Sequence, residues 1–495
     1  MSLMKKALVA AIAAAVAAPS AMACTSVMVG KNVSESGAIM LSRNEDFISN
    51  NWAKHMVIYP ARTYKKGDTI TLSNGLTVPA PAKALRYTAM IDWDNTSYDI
   101  PNNGKVFEER GVNELNVAMS ATNSAEGNEK ALKADPLIED GIIEQNMVGL
   151  VLSEATSARN AVEILGRYIE KYGAGETNGI QFADQNEAWY METGGGHQWI
   201  AVRIPDDKYL VIANGLRIHG VDLDSKDVMH VEGLFDMVKK NKLLDNPDRK
   251  SFNFAKAFGV PGDIYNTDRE WLSQKMLTPS LKQESRQDQY PLFLSPDKKI
   301  GVDEVAAVLR ADYNGTELEN IAPRPSGVDR NAEAHIIEMY GNMPKELTAV
   351  IWQTPSAVNY SPFIPFYNVM EKVPAEYAMG TDSYDDQSAW WNFRALGALA
   401  SKNVQEGKYR PVVEKVWNDL EHRFIASQPY MNSMLKDMYK KDSKLAVSFA
   451  SDYSNGILQT SLNKATELKS ALMTDLTRST EKKYSPEEFE KISNL

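Results

Sequence analysis

Apolar and polar residues alternate in short runs through the first half of the chain. Thr25-Ser26-Val27-Met28-Val29 and Ala38-Ile39-Met40-Leu41-Ser42 flank a Ser36-Gly37 turn and predict a hairpin. Leu115 to Ser120 alternates as well. Between Glu139 and Tyr172 the spacing lengthens to that of helices, with Ile142, Ile143, Val148 and Val151 in one part and Val162, Leu165 and Ile169 in the next, and Thr156-Ser157 marks the second start. Strands return at Gly179 to Ala183, Ala188 to Glu192, His197 to Ile204 and Tyr209 to Ala213. The polar tetrapeptides between them, Asp184 to Glu187, Thr193 to Gly196 and Pro205 to Lys208, each predict a hairpin turn.

Residues 240–299 are polar and read as irregular surface chain with short helices. Val302 to Ala311 predicts a helix and Ala349 to Gln353 a buried strand, and from Ser388 to Leu495 the pattern is mostly helical. Strands, a helix pair, more antiparallel strands and a helical tail predict an α+β fold.

Residues 1–23 have the pattern of an export leader. Lys5 and Lys6 precede an apolar run from Ala7 to Ala18, Pro19-Ser20 break it, and Ala21-Met22-Ala23 has the small-x-small form of a cleavage site. Its removal leaves 472 of the 495 residues, opening on Cys24, the single cysteine, and takes the net charge from −11 to −13 with the loss of Lys5 and Lys6. A chain this acidic and without a basic tract is not expected to bind nucleic acid. No later stretch approaches the ~18–20 apolar residues of a membrane span. The expected location is the periplasm or the exterior, and one cysteine cannot make an internal disulfide.

A cysteine at the cut site would carry a thiol of pKa ~8.5 and a free α-amine of pKa ~7.7–8 on one residue. Such a residue is a nucleophile with its own general base. Two alternatives stay open: a free thiol with no role or one that pairs between chains, and a lipoprotein in which the thiol is lipidated and the amine acylated. The residue three before Cys24 is Ala21, where a lipoprotein signal usually has Leu.

Cys24-Thr25 opening a strand, followed by Ser42-Arg43-Asn44-Glu45-Asp46 after a second strand, resembles the bacterial N-terminal-nucleophile (Ntn) hydrolase dipeptidases, cysteine peptidases of the dipeptidase A type. The resemblance runs on through Gly111-Val112-Asn113-Glu114, Asn123, Trp199 to Arg217, Tyr265 to Trp271, and Trp352 with Pro365-Phe366-Tyr367 to Trp390-Trp391. Bile-salt (choloylglycine) hydrolases and penicillin V acylases are similar in the same places. The resemblance implies an αββα four-layer sandwich over residues 24–375, a helical C-terminal region over 376–495, and dipeptides as substrates.

It also implies roles. Cys24 is the nucleophile and Arg43 and Asp46 are a charged pair beside it, the guanidinium favouring thiolate and the carboxylate holding the α-amine; the alternative is an ion pair that only fixes the second strand. Asn123 and Asn214 are the expected oxyanion donors, against the alternative of turn-forming residues at strand ends. Arg269 resembles an arginine of the family site by a loose match, with a solvated helix charge as the alternative. No cofactor and no metal is expected, since the six histidines (His55, His197, His219, His230, His335, His422) show no short ligand spacing; His219 and His230 read as hydrogen-bonded loop residues. No Gly-x-Ser-x-Gly elbow occurs. A non-peptide N-acyl amide hydrolase and a peptide-binding lipoprotein remain the alternative functions, and a homo-oligomer is left open.

Overall fold

The structure, a computed structural model, describes residues 24–47, 49–93 and 107–480. The leader 1–23 and the last part of the expected helical tail, 481–495, lie outside them. The described chain is α+β and is built on two antiparallel sheets.

The strands in chain order are β1 Thr25–Val29, β2 Ile39–Asp46, β3 Lys54–Tyr59, β4 Arg62–Thr63, β5 Thr69–Thr71, β6 Thr77–Pro79, β7 Lys83–Ala84, β8 Tyr87–Asp92 and β9 Glu108–Asn113. They continue as β10 Ala118–Ser124, β11 Asn178–Ala183, β12 Ala188–Thr193, β13 Trp199–Arg203, β14 Tyr209–Ile212, β15 Val228–His230, β16 Asn331–Met339, β17 Ala349–Thr354 and β18 Ile364–Tyr367. A six-stranded sheet has the order β14-β1-β2-β16-β17-β18, and an eight-stranded sheet the order β15-β13-β12-β11-β10-β9-β8-β3. Side chains bond from one sheet to the other: Ser26 to Asn123, Arg43 to Glu109, Arg110 to Gln353 and His335 to Ser120.

The expected β1–β2 hairpin is present, with Thr25 opposite Asn44 and Ser26 opposite Arg43. The helices Glu144–Leu152 and Ala158–Tyr172 match the predicted pair, and Ser157 caps the second, its hydroxyl accepting from the Asn160 N–H at 3.1 Å. Val162, Leu165 and Ile169 bury one face of that helix against β11, β12 and β13, each side chain contributing ~1.5–3 kcal/mol. Helix Val302–Leu309 packs on β1, β2 and β16, and the long helix Ser443–Ser479 lies along β18. Trp417, Leu458 and Leu462 of the C-terminal helices belong to the same core as Val27, Leu41 and Ile336.

One predicted turn is not a hairpin. Pro205 to Lys208 does not pair β13 with β14; β13 pairs with β12 and β15, whereas β14 crosses to the other sheet and pairs with β1. The crossing works because Gly30, at the end of β1, lets the segment lie on its backbone. Its N–H donates to the Lys208 carbonyl at 2.9 Å, and a Cβ there would come within 2.4 Å of the Pro205 carbonyl oxygen. The crossing matters for the site, since it brings Asn214 beside Cys24. The reading of 240–299 also changes, since it holds the 14-residue helix Ile264–Leu277.

Candidate active site

Cys24 stands immediately before β1 and is fully buried. Its neighbour Thr25 is fixed by an N–H bond of 2.7 Å to Asn44 Oδ1, and the Asn44 amide donates to the carbonyls of Leu309 and Ser326 at 2.9 and 2.8 Å. The start of β1 is therefore tied to β2 and to the chain following helix Val302–Leu309. Burial pushes the Cys24 thiol up to about 11, opposed by the Arg43 guanidinium and by the Asp46 backbone N–H.

Arg43 and Asp46 do not pair with each other. Arg43 points between the sheets and is held by Glu109, at 2.9 Å to the carboxylate and 3.2 Å to the carbonyl. The Asp46 carboxylate turns the other way, to Arg324 Nη1 at 2.8 Å and to Arg330 Nε and Nη2 at 2.8 and 2.9 Å. What Asp46 offers the sulfur is its backbone N–H.

Asn123 is on β10, in the facing sheet. Its Oδ1 accepts from the Ser26 hydroxyl at 2.8 Å, which orients the amide, and its Nδ2 is buried without a partner. A buried donor left in that state costs ~1–3 kcal/mol, so it is held there by its surroundings and awaits an acceptor. Asn214 follows β14. Ser26 faces Ile212, and extending the register by two residues sets Asn214 across from Cys24. Its N–H donates to Asn266 at 2.9 Å and its Oδ1 accepts from Arg269 at 3.0 Å.

Arg269 is not a solvated helix charge. It is fully buried and its Nη1 donates to the Cys24 carbonyl at 2.7 Å and to the Thr25 hydroxyl at 3.2 Å. Cys24, Arg43, Asp46, Asn123, Asn214 and Arg269 thus form one constellation around the start of β1.

Several residues of the site were not singled out from the sequence: Arg324, Arg330, and a buried charge layer below the thiol. Lys54 Nζ lies among three carboxylates, bonding Glu45 at 2.7 Å, Glu109 at 2.7 Å and Asp92. These carboxylates are near enough to share a cation, and the lysine fills that role. Burial, with the Glu109 charge beside it, pushes Glu45 well above the usual carboxylate range. Further along the layer, His335 Nδ1 is 3.1 Å from Glu333 and its Nε2 is 2.9 Å from the Ser120 hydroxyl. No single-sequence signal marks these positions, because their partners lie on strands far apart in the chain. Lys54→Met should destabilise the fold by ~3–5 kcal/mol, since it strands the buried carboxylates and leaves Arg43 alone to neutralise Glu109. Urea unfolding checks this, and a loss below ~1 kcal/mol would contradict the network.

His219 bonds the Arg217 carbonyl at 2.7 Å from a loop, as expected, and His230 lies on β15 with its ring toward the carbonyls of Val231 and Leu223. No described helix is long and apolar enough to cross a membrane.

Comparison with known proteins bears on the whole arrangement. A protein named probable dipeptidase from Latilactobacillus sakei is 36% identical over 394 residues, 77% of this chain and 81% of that protein. The probable dipeptidase A of Streptococcus pyogenes serotype M3 is 31% identical over 481 residues, covering 92% of this chain and 99% of its own length. A dipeptidase of Bifidobacterium longum is 30% identical over 456 residues, 82% of each chain. The family model for peptidase family C69 matches residues 23–418, which hold every residue of the constellation. The chain belongs to peptidase family C69 and is a hydrolase.

Proposed function

We propose that the mature protein is an exported cysteine dipeptidase of the Ntn type, with the two facing sheets and their flanking helices forming the αββα sandwich of residues 24–375 and the helices beyond it a C-terminal region. The observation that carries this reading is a buried sulfur immediately before β1 together with a buried, unpartnered amide donor, Asn123 Nδ2, whose side chain is anchored on Ser26 of the same strand. The names of the relatives, all dipeptidases, supply the substrate class.

In the mechanism, cleavage after Ala23 frees the Cys24 α-amine. The amine takes the thiol proton as the sulfur attacks the peptide carbonyl carbon, and the new S–C bond puts the carbonyl electron pair on oxygen. Asn123 Nδ2 donates to that oxyanion, with Asn214 as the second donor side; Arg269 holds the Asn214 amide by its oxygen. The C–N bond then breaks and the α-ammonium returns its proton to the leaving amine. Water attacks the thioester by the same route in reverse, releasing the acid and the thiol. Arg43 and the Asp46 N–H favour thiolate in both steps.

Initial rates on one dipeptide in free and N-acetylated form, with and without thiol alkylation and chelator, test the reading. The free dipeptide is expected to turn over, alkylation to stop it and chelator to leave it unchanged. Faster turnover of the N-acetylated form would move the protein to the N-acyl amide hydrolases, and a diacylglycerol adduct on Cys24 in the intact mass would make it a lipoprotein.

A further inference from the structure

Three guanidinium groups converge on the phenol of Tyr265, on the helix that carries Arg269. The Arg269 and Arg324 guanidinium carbons lie 5.0 and 5.7 Å from its ring centre, and the phenol is near enough to Arg330 to favour its charge. All three face one carboxylate, that of Asp46. Arg269 spends its donors on neutral acceptors, namely the carbonyls of Tyr265 and Cys24, the Thr25 hydroxyl, and the amide oxygens of Asn214 and Asn266. Among the described residues it has no carboxylate partner. The acidic side chains next to it in sequence are engaged elsewhere, Glu270 by Arg217 at 2.9 Å and Asp268 by Arg286 at 3.6 Å. Positive charge therefore exceeds negative around Asp46, and burial, with Arg324 close by, pulls Arg269 down to about 10.

The three differ in access. Arg269 is fully buried and the Arg324 side chain is 6% exposed, but that of Arg330 is 40% exposed. Arg330 gives Asp46 its Nε and one Nη2 hydrogen, and a guanidinium has five N–H groups, so its outer edge keeps donors to offer. The cluster begins close to the sulfur, because it grips the carboxylate of Asp46, whose backbone N–H is near enough to oppose the effect of burial on the thiol. In a dipeptide the terminal carboxylate is two bonds beyond the scissile nitrogen, within ~4–5 Å of the carbon under attack.

We infer that Arg330, backed by Arg324, is the subsite that takes the free C-terminal carboxylate of the substrate. The inference rests on the dipeptidase reading above and adds a recognition element to it. A planar guanidinium suits a carboxylate better than any other side chain does, and Asp46 holds the fork in register while leaving the cluster electropositive. An amide cap at that end would remove the charge and set an N–H donor against the guanidinium donors.

The test compares kcat/KM on a free dipeptide and on its C-terminal amide for the mature wild type, Arg330→Gln and Arg330→Lys. Wild type is expected to prefer the free form. Arg330→Gln should lose ~10–100-fold on the free dipeptide, mostly in KM, and little on the amide, so that the preference collapses. Arg330→Lys, which keeps the charge and loses the fork, should recover part of it. Equal losses on both substrates would mean that Arg330 only supports Asp46, and an unchanged preference would place the carboxylate elsewhere; either overturns the inference while the dipeptidase reading stands. A wild type that does not distinguish the two forms overturns the inference without any variant, and one that hydrolyses neither removes the dipeptidase reading with it. Thermal midpoints of the variants within a few degrees of wild type exclude a folding defect.

Discussion

A protein carrying one extra residue ahead of Cys24 is expected to keep its fold and lose ~10²–10⁴-fold in amide hydrolysis, because the amine that should accept the thiol proton has become a peptide nitrogen. Thiol chemistry gives the same prediction a second readout. In the full-length chain burial pushes the Cys24 thiol to about 11. At pH 8 only about one such thiol in a thousand is ionised, against roughly a quarter of free thiols with pKa ~8.5. Full-length protein should therefore react with iodoacetamide about a hundredfold more slowly than a mature form whose thiol has an adjacent free amine. Equal alkylation rates, or full hydrolysis with the amine blocked, would show that another group is the base. Cys24→Ser should still bind substrate and turn it over far more slowly, since a hydroxyl beside the same amine is a weaker nucleophile near neutral pH.

The effect is expected to be so large because the surroundings alone do not activate the sulfur. Arg43 is the one cation at the thiol that points into the buried layer, and its charge is largely answered by Glu109. The layer beneath sets the carboxyl groups of Glu45, Asp92 and Glu109 around Lys54, so its one lysine is already engaged and gives the thiol no further positive charge. Desolvation therefore wins over the guanidinium, and the direction of the thiol shift is upward. On the proposed mechanism the activating amine is supplied by cleavage after Ala23.

How far the sequence disclosed this site depended on where each residue's partner lies. β1, β2 and β11 to β13 were legible because their apolar residues alternate or run together between strong turn residues. β16 was not read at all, although it lies at the centre of the six-stranded sheet. It carries Glu333, His335 and Glu338 among Ala334, Ile336, Ile337 and Met339, and such a pattern suggests a half-exposed element. Every one of its residues is buried, because Glu333 is matched by His335 and Gln353, and Glu338 accepts from Trp352, Tyr340 and Ser36. The helix Ile264–Leu277 was passed over for the same reason. Asn266 to Gln274 are polar in the main and all buried, and Arg269 and Gln274 among them bond Cys24, Asn214 and the segment after the helix. Alternation reports which side chains meet water only when buried charges have no partners; here the partners come from neighbouring positions on the strand and from β17 beside it.

Asn123→Ala tests the oxyanion side, and is expected to lower kcat by ~10²–10³-fold with a much smaller change in KM. The effect follows from the way this amide is held. Its oxygen is occupied by the Ser26 hydroxyl at 2.8 Å and its Nδ2 is buried with nothing to bond, so the donor is fixed before substrate arrives and gains most when negative charge forms on the carbonyl oxygen. Removing it should not cost the fold. The lost Ser26 bond is worth ~1 kcal/mol, and deletion of an unsatisfied buried donor offsets part of that, so the variant should unfold within about 1 kcal/mol of wild type in urea. Ser26→Ala separates positioning from chemistry: it leaves the donor in place but frees the amide to rotate, and should lose less in kcat than Asn123→Ala does. A kcat for Asn123→Ala within threefold of wild type would remove Asn123 from the mechanism and leave Asn214 and the backbone as the donors.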